Sequence, residues 1–140
     1  MAVRFPSLGF FQALQERTLE QKALFEKLGY CDTSFGVRVG DALFSVAFDV
    51  YECTSVAEGG DESKLDFVLS GPAQVWNEML ESIQKNGGAD AAHTLNTLSH
   101  LGSVIKVEYV DPEGFDKFYR FMGSIQAFFD EASALDVELA

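Results

Sequence analysis

The segment from Asp111 to Ala132, DPEGFDKFYRFMGSIQAFFDEA, constrains the fold more than any other part of the chain. Asp111 is a suitable N-cap, Pro112 suits a first helical turn, and Glu113 complements the positive end of a helix. We therefore predict one long helix whose apolar residues cover about half of its circumference, whereas an ordinary surface helix needs a stripe of about 100°. These apolar residues are Phe115, Phe118, Tyr119, Phe121, Met122, Ile125, Phe128, Phe129 and Ala132.

Three interpretations of this wide apolar face remain open: packing in a core, a subunit interface, or the wall of a ligand cavity. Left exposed, the rings would form a large sticky patch. Phe and Met suit a cavity wall because they are large, adaptable and free of unpaired polar atoms. Gln126 projects near the apolar edge, where it either fixes a ligand hydroxyl or is a solvated boundary residue.

Alternating and helical patterns divide the first half of the chain. A first helix is predicted over roughly Leu8 to Leu28, capped by Ser7 and ended at Gly29. Alternation of apolar residues then predicts strands, and the stretch from Glu58 to Ser63 is predicted to be a solvated loop. The alternating residues are Phe35, Val37 and Val39, then Phe44, Val46, Phe48 and Val50, then Leu65, Phe67 and Leu69.

In the second half, Pro72 opens a helix whose apolar residues are Val75, Trp76, Met79, Leu80 and Ile83. Asn86-Gly87-Gly88 ends it, and a short helix is predicted from Asp90 to Leu101, stopped by Gly102. Val104 to Val110 is predicted to be a strand. Helices and strands do not alternate regularly, so we expect a single α+β domain over residues 1–140.

Charge and composition limit the classes of partner. The net charge of −12 disfavours nucleic acid and anionic membrane surfaces, which would repel the chain. The ten basic residues are scattered, so no run exists to bind a polyphosphate. The sequence contains no stretch of about 18 consecutive apolar residues, so we expect no stable membrane insertion. Without a signal peptide pattern, we expect a cytoplasmic protein, and a homodimer is possible.

Few residues suggest chemistry. His93 and His100 are seven positions apart, whereas two metal ligands on one helix usually lie four apart, so we expect no metal and no cofactor. Cys31 and Cys53 form no disulfide framework, and no sequence feature selects either as a nucleophile. Asp49 and Asp66 lie in strands, and we expect them to face outward because they alternate with the dominant apolar rows.

Three stretches carry a resemblance to the family of sterol carrier protein two-like domains. LDFVLSGPAQVWNEML, Leu65 to Leu80, resembles that family's central strand and helix. VGDALFSVAFDVY, Val39 to Tyr51, resembles its early antiparallel strands, and Leu101 to Asp130 resembles its last strand and closing helix. The chain departs from the family at ECTSVAEGGDES, where another strand is usual, and at residues 111–114, where a glycine-rich step is usual.

The resemblance implies an α+β fold with a mostly antiparallel sheet of about five strands and helices packed on one face. It also implies an apolar tunnel between sheet and helices, with Leu95 and Leu98 near the mouth. The other wall residues implied are Trp76, Met79 and Ile83 on the middle helix, and Phe118, Met122, Ile125 and Phe129 on the last helix.

On this resemblance we expect non-catalytic binding of an apolar small molecule, such as a sterol, a lipid or a similar polycyclic compound, by a carrier or accessory module. The negative net charge disfavours fatty acids and coenzyme A thioesters, which need a basic patch. Two alternatives remain: a small cavity enzyme of the ketosteroid-isomerase or polyketide-cyclase type, and an assembly partner that docks through the Phe-rich helix. The cavity enzyme would need a carboxylate with a raised pKa pointing into the pocket.

Overall fold

A computed structural model describes residues 2–100 and 104–139. Within these ranges the chain forms seven strands, six α-helices and two short 3-10 helices. The strands are β1 (Val3–Phe5), β2 (Thr33–Val39), β3 (Ala42–Asp49), β4 (Glu52–Glu58), β5 (Phe67–Gly71), β6 (Lys106–Glu108) and β7 (Val137–Leu139). The α-helices are α1 (Leu8–Glu20), α2 (Lys22–Leu28), α3 (Ala73–Asn86), α4 (Leu95–His100), α5 (Pro112–Arg120) and α6 (Met122–Asp130), and the 3-10 helices are Glu62–Lys64 and Glu131–Ala134.

Five strands form the main sheet, in the order β4-β3-β2-β5-β6. The central pair β2–β5 is parallel and the other three pairs are antiparallel, so the predicted α+β class with a mostly antiparallel sheet of about five strands is confirmed. The register places Phe35 opposite Val46 on β3 and opposite Phe67 on β5. One face of the sheet is therefore a continuous apolar surface.

The helices pack on this apolar face through aromatic rings. Ring centroids lie 4.9 Å apart between Phe11 of α1 and Phe44, and 5.4 Å apart between Phe118 of α5 and Phe67. Each fully buried Phe stabilises the fold by roughly 1.5–3 kcal/mol. On the outer face of the sheet, glycine suits position 36 because a Cβ there would lie 3.0 Å from carbon atoms of both Leu43 and Leu65.

Strand β4 was not recognised in the sequence, although the resemblance implied a fifth strand. It forms an edge of the sheet, and Cys53 is its one buried residue while Val56 is half-buried. An edge strand with so little burial leaves a weak apolar alternation. Val50 does not extend β3 as predicted but occupies the turn before β4, with φ 60°.

The first and last predicted helices both bend at one residue. The chain bends at Gln21, between α1 and α2, and at Phe121, between α5 and α6. The main-chain bonds continue through both bends, because the amides of these residues still donate to Arg17 and Lys117. The prediction of two unbroken helices was wrong, since apolar spacing reports burial but not a change of axis.

Three predicted boundaries also differ. The helix expected to begin at Asp90 begins at Leu95, because residues 91–93 form a turn in which the Asp90 carboxylate accepts a bond from the Ala92 amide. The strand expected over residues 104–110 pairs with β5 only from Lys106 to Glu108. Leu101 and Gly102, at the predicted helix end, lie outside the described residues.

Strands β1 and β7 form a separate two-stranded parallel sheet that the sequence analysis did not predict. Val3 pairs with Val137 and Phe5 with Leu139, and Phe5 is fully buried against Phe10 of α1. Three residues per strand are too few for alternation to be visible in the sequence. No helix in the described ranges combines the length and apolarity that crossing a bilayer requires.

The start of α5 touches the sheet main chain to main chain. A Cβ on Gly114 would lie 1.8 Å from the carbonyl oxygen of Asp66, just ahead of β5. Lys117, one turn later, pairs with the Asp66 carboxylate at 3.3 Å. Any side chain at position 114 would therefore push α5 off the sheet.

We expect Gly114→Ala to lower the free energy of unfolding by at least about 2 kcal/mol, because an overpacked contact with main chain cannot relax by a rotamer change. Gly123→Ala is the matched control, since it adds the same methyl group to α6 where, apart from the adjacent residues and the helix's own backbone, no atom lies within 4 Å. There the better helix propensity of alanine predicts a gain of about 0.5–1 kcal/mol. Urea denaturation measures both; equal effects of the two substitutions would contradict the close contact.

Candidate ligand site between the sheet and the helices

The nine predicted wall residues all lie in or against one apolar core between the sheet and the helices. Seven of them are fully buried, and Leu98 and Met122 are half-buried. The seven buried residues are Trp76, Met79, Ile83, Leu95, Phe118, Ile125 and Phe129. The structure thus brings together residues from α3, α4, α5 and α6, while their role as a ligand wall remains a prediction.

Trp76 is fixed at the centre of this core. Its Nε1–H donates to the main-chain oxygen of Arg38 on β2 at 3.0 Å, which satisfies the one polar atom of the indole. The ring lies 5.6 Å from Phe129 of α6, centroid to centroid. Trp76 therefore joins α3 to both the sheet and the last helix.

An open cleft lies at the β6 edge of the core, with a volume of about 470 Å³. Three aromatic rings form its apolar wall: Phe115 lies 5.0 Å from both Tyr109 and Tyr119, centroid to centroid. The two tyrosines are 47% and 42% exposed, so the wall is open to solvent. The residues that line the cleft are Ser99, Ile105, Lys106, Val107, Glu108, Tyr109, Phe115 and Tyr119.

Charge at this cleft is modest. Glu108 is bound by Arg38, whose Nη1 lies 2.6 Å from its Oε1. Lys106 forms no ion pair with any residue that the structure describes. In the sequence, Phe115 and Tyr119 were assigned to the apolar face of the last helix, and no cleft was predicted there. Phe115 and Tyr119 lie four residues apart, which places them on one face of a helix, and this helix follows the exposed end of a strand. That spacing was the sequence feature that could have indicated the cleft.

A continuous series of ring contacts connects the cleft with the core. Tyr119 lies 5.2 Å from Phe118, and Phe118 lies 5.4 Å from Phe67 on β5. From Phe67 the contacts continue at centroid distances of 5.4–6.4 Å to Trp76. The rings after Phe67 are Phe35, Phe48, Phe128 and Phe129.

None of the nine predicted wall residues lines this cleft or the four other main clefts on the described surface. Three of those four clefts are lined mainly by polar residues or by strand and helix ends. The fourth is small, about 110 Å³, and largely apolar, with Leu65, Phe67, Val68, Tyr109 and Val110 among its lining residues. The predicted site and the open aromatic cleft are therefore adjacent but separate in this conformation. A ligand at the predicted wall requires the side chains or helices around it to move apart.

The Gln126 side chain makes bonds within the chain that the sequence did not predict. Its side-chain oxygen accepts a bond from the Leu95 amide at 2.8 Å, and its Nε2 donates to Asp130 at 2.9 Å. Asp130 also accepts a bond from the Ala89 amide at 3.2 Å. Gln126 thus ties the chain ahead of α4 to α6.

Asp130 is the carboxylate with the most unusual surroundings near the core, and the sequence analysis did not identify it. Burial raises its pKa above the ordinary value, although the bonds from Gln126 and the Ala89 amide oppose the shift. The two candidates from the sequence are placed differently. Asp49 is exposed, and Asp66 accepts bonds from the Thr33 hydroxyl and the Ser34 amide, which gives it a structural role.

The two cysteine thiols are buried, and the ring of His93 is bonded to another side chain. Burial raises the pKa of Cys31 and of Cys53 to about 12, so the thiolate that a nucleophile requires is scarce at neutral pH. His93 pairs with Asp90 at 2.7 Å. Within residues 2–100 and 104–139, no three His, Cys, Asp or Glu side chains are grouped as metal ligands would be.

Known proteins resemble this chain in structure and not in sequence. No protein-family model and no curated protein matches it. A crystal structure of sterol carrier protein 2 matches with a TM-score of 0.64 and 12% identity, covering 91% of this chain and 95% of that one. A conserved hypothetical protein from Thermus thermophilus, possibly a sterol carrier protein, matches with a TM-score of 0.58 and 14% identity, covering 91% and 88%. At this identity the match shows a shared fold, which confirms the predicted resemblance at the level of the fold.

We expect Asp130→Asn to raise the free energy of unfolding at pH 7, because asparagine keeps an oxygen for the Ala89 amide and removes a half-buried charge. The raised pKa means that folding favours the protonated acid, so wild type regains this stability as pH falls through the pKa of the folded state. Urea denaturation should therefore show a gain at pH 7 that disappears near pH 3.

Asp136→Asn is the matched control, because it removes one exposed negative charge from the same acidic chain. Any general relief of charge repulsion appears in both variants. A gain at pH 7 that is no larger for Asp130→Asn than for Asp136→Asn would contradict the proposed cost of burying the Asp130 charge.

Proposed function

We propose that this protein binds an apolar small molecule, such as a sterol, a lipid or a similar polycyclic compound, between the sheet and the helices, without chemistry of its own. It would act as a carrier or as an accessory module to another protein. The observation that carries this proposal is the unbroken series of aromatic contacts from the open cleft at Tyr109, Phe115 and Tyr119 to Trp76 in the core.

The chemistry of this series suits a ligand without charge. The interior rings present no polar atom other than the indole N–H of Trp76, which is already bonded to Arg38. An apolar guest that separates these rings would thus leave no buried hydrogen-bonding group unpaired, and would replace ring contacts with contacts of similar strength. The net charge of −12 also favours a neutral ligand over a fatty acid or a coenzyme A thioester.

The structural neighbours support the same proposal. The fold shared with sterol carrier protein 2 makes a site between sheet and helices a reasonable position for an apolar ligand. Leu98 and Met122, the two half-buried members of the predicted wall, lie on α4 and α6 and pack against the core. Cytoplasmic location and a homodimer stay predictions.

The two alternative functions have less support. An assembly partner would use the Phe-rich face, but Phe118, Phe128 and Phe129 are fully buried within this chain. A cavity enzyme would need a carboxylate that opens into an apolar pocket. Asp130 has the raised pKa but is bonded to Gln126 and the Ala89 amide, and it lines none of the five main clefts.

Trp76 gives a direct test, because it is the one tryptophan of the chain and lies in the predicted wall. We expect saturable changes in its emission when cholesterol is added from a cyclodextrin complex. Tyr109→Ala and Tyr119→Ala should weaken this binding about tenfold, because each removes a ring from the mouth of the site. Native mass spectrometry of the purified protein would show whether an apolar compound is retained.

Tyr30→Ala is the matched control, since Tyr30 is an exposed tyrosine, 64% accessible, that does not line the cleft. It should bind cholesterol like wild type. The proposal fails if Trp76 emission does not respond to cholesterol or to Nile red, a second neutral probe. An equal loss in Tyr30→Ala and Tyr119→Ala would show that binding does not occur through the cleft.

A further inference from the structure

The segment of residues 88–100, here called the strap, crosses from the end of α3 over α6 and includes α4. Leu95 is its one fully buried residue, while Asp90, Ala91 and Ala92 are exposed. Leu98 packs half-buried against the core, and Ser99 lines the aromatic cleft. The strap therefore covers the core beside the cleft with one fully buried side chain, Leu95, and the half-buried side chains of Ala89 and Leu98.

Hydrogen bonds to side chains hold the strap in place. The Ala89 amide donates to Asp130, the Asp90 amide donates to the hydroxyl of Ser82 at 3.0 Å, and the Leu95 amide donates to Gln126. Asp130 and Gln126 lie one turn apart on α6 and are bonded to each other. Toward β6, the Ile105 amide donates to the main-chain oxygen of Leu98 at 3.0 Å.

This manner of attachment differs from that of the sheet and the long helices. Their main-chain groups bond one another, and rows of buried side chains reinforce them. A segment with one buried apolar residue and a few bonds to side chains opens at a lower free energy than the whole fold. Gln126 has a central position because it accepts from Leu95, the residue that inserts, and supports Asp130, which holds the other end.

We propose that the strap is the movable cover of the apolar site, and that Gln126 is the latch whose release lets Leu95 withdraw and joins the aromatic cleft to the core. This inference rests on the proposed function, because it assigns the access route and its control to the same site. A movable strap also explains why the predicted wall is closed while the cleft beside it is open.

The test compares Gln126→Met with Gln84→Met. Both replace a glutamine by a side chain of similar length without its amide. Gln84 donates to the main-chain oxygens of Ala132 and Leu135, so its loss affects the chain after α6 and not the strap. Circular dichroism first verifies that both variants are folded. Should Gln126→Met not fold, Asp130→Ala, which removes the bond to the Ala89 amide, takes its place.

Hydrogen exchange without any ligand is the first measurement. We expect the amides of Ala89 and Leu95 to exchange at least about fivefold faster in Gln126→Met than in wild type, because a bonded amide has lost its acceptor or its support. Exchange in β2 and β3 should not change. Equal exchange of the strap in the two methionine variants would overturn the latch.

Stopped-flow mixing with Nile red is the second measurement. Association and dissociation should both accelerate at least about fivefold in Gln126→Met and remain as in wild type in Gln84→Met, since a cover affects passage in both directions. Faster strap exchange with unchanged Nile red rates would overturn the strap as the access route and leave the proposed function intact. Absence of Nile red and cholesterol binding in wild type would overturn the proposed function and the cover together.

Discussion

Contacts between aromatic rings join the two layers of this fold. Four phenylalanines of the sheet point toward the helices, and rings from α1, α2, α5 and α6 pack on them. These four are Phe35, Phe44, Phe48 and Phe67. Three of the four ring pairs between sheet and helix are tilted or edge-to-face, a geometry that tolerates small displacements because no directional bond is broken. The sheet and the helices are thus held together mainly by apolar contacts, supplemented by polar links such as the bond from the Trp76 indole to Arg38 and the ion pair of Lys117 with Asp66.

The sequence predicted the fold well where burial was regular. Alternation identified β2 and β3. The helix ends were also predicted at the correct residues, which are Ser7, Gly29, Asp111 and Pro112. Prediction failed where burial was slight or the axis changed. Cys53 alone is buried in β4, and nothing in the apolar spacing distinguishes the bent pair α5 and α6 from one straight helix.

The candidate site was predictable only in part, for a related reason. Spacing identifies which side chains face inward, and Trp76, Met79 and Phe129 are indeed buried in one core. Their role as a ligand wall stays a prediction that rests on the resemblance. Spacing does not reveal which polar side chains bind distant main chain. The bonds of Gln126 and Asp130 to residues 89 and 95 join parts of the chain more than 30 positions apart, and no local pattern signals them.

The contact between Gly114 and Asp66 has a consequence for how such a protein changes during evolution. Because main chain meets main chain there, the start of α5 is aligned with the sheet independently of the size of any interior side chain. Substitutions at Phe118, Ile125 or Phe129 alter the volume and shape of the interior while this alignment persists. Variants that retain this glycine can therefore change the interior without changing how α5 sits on the sheet.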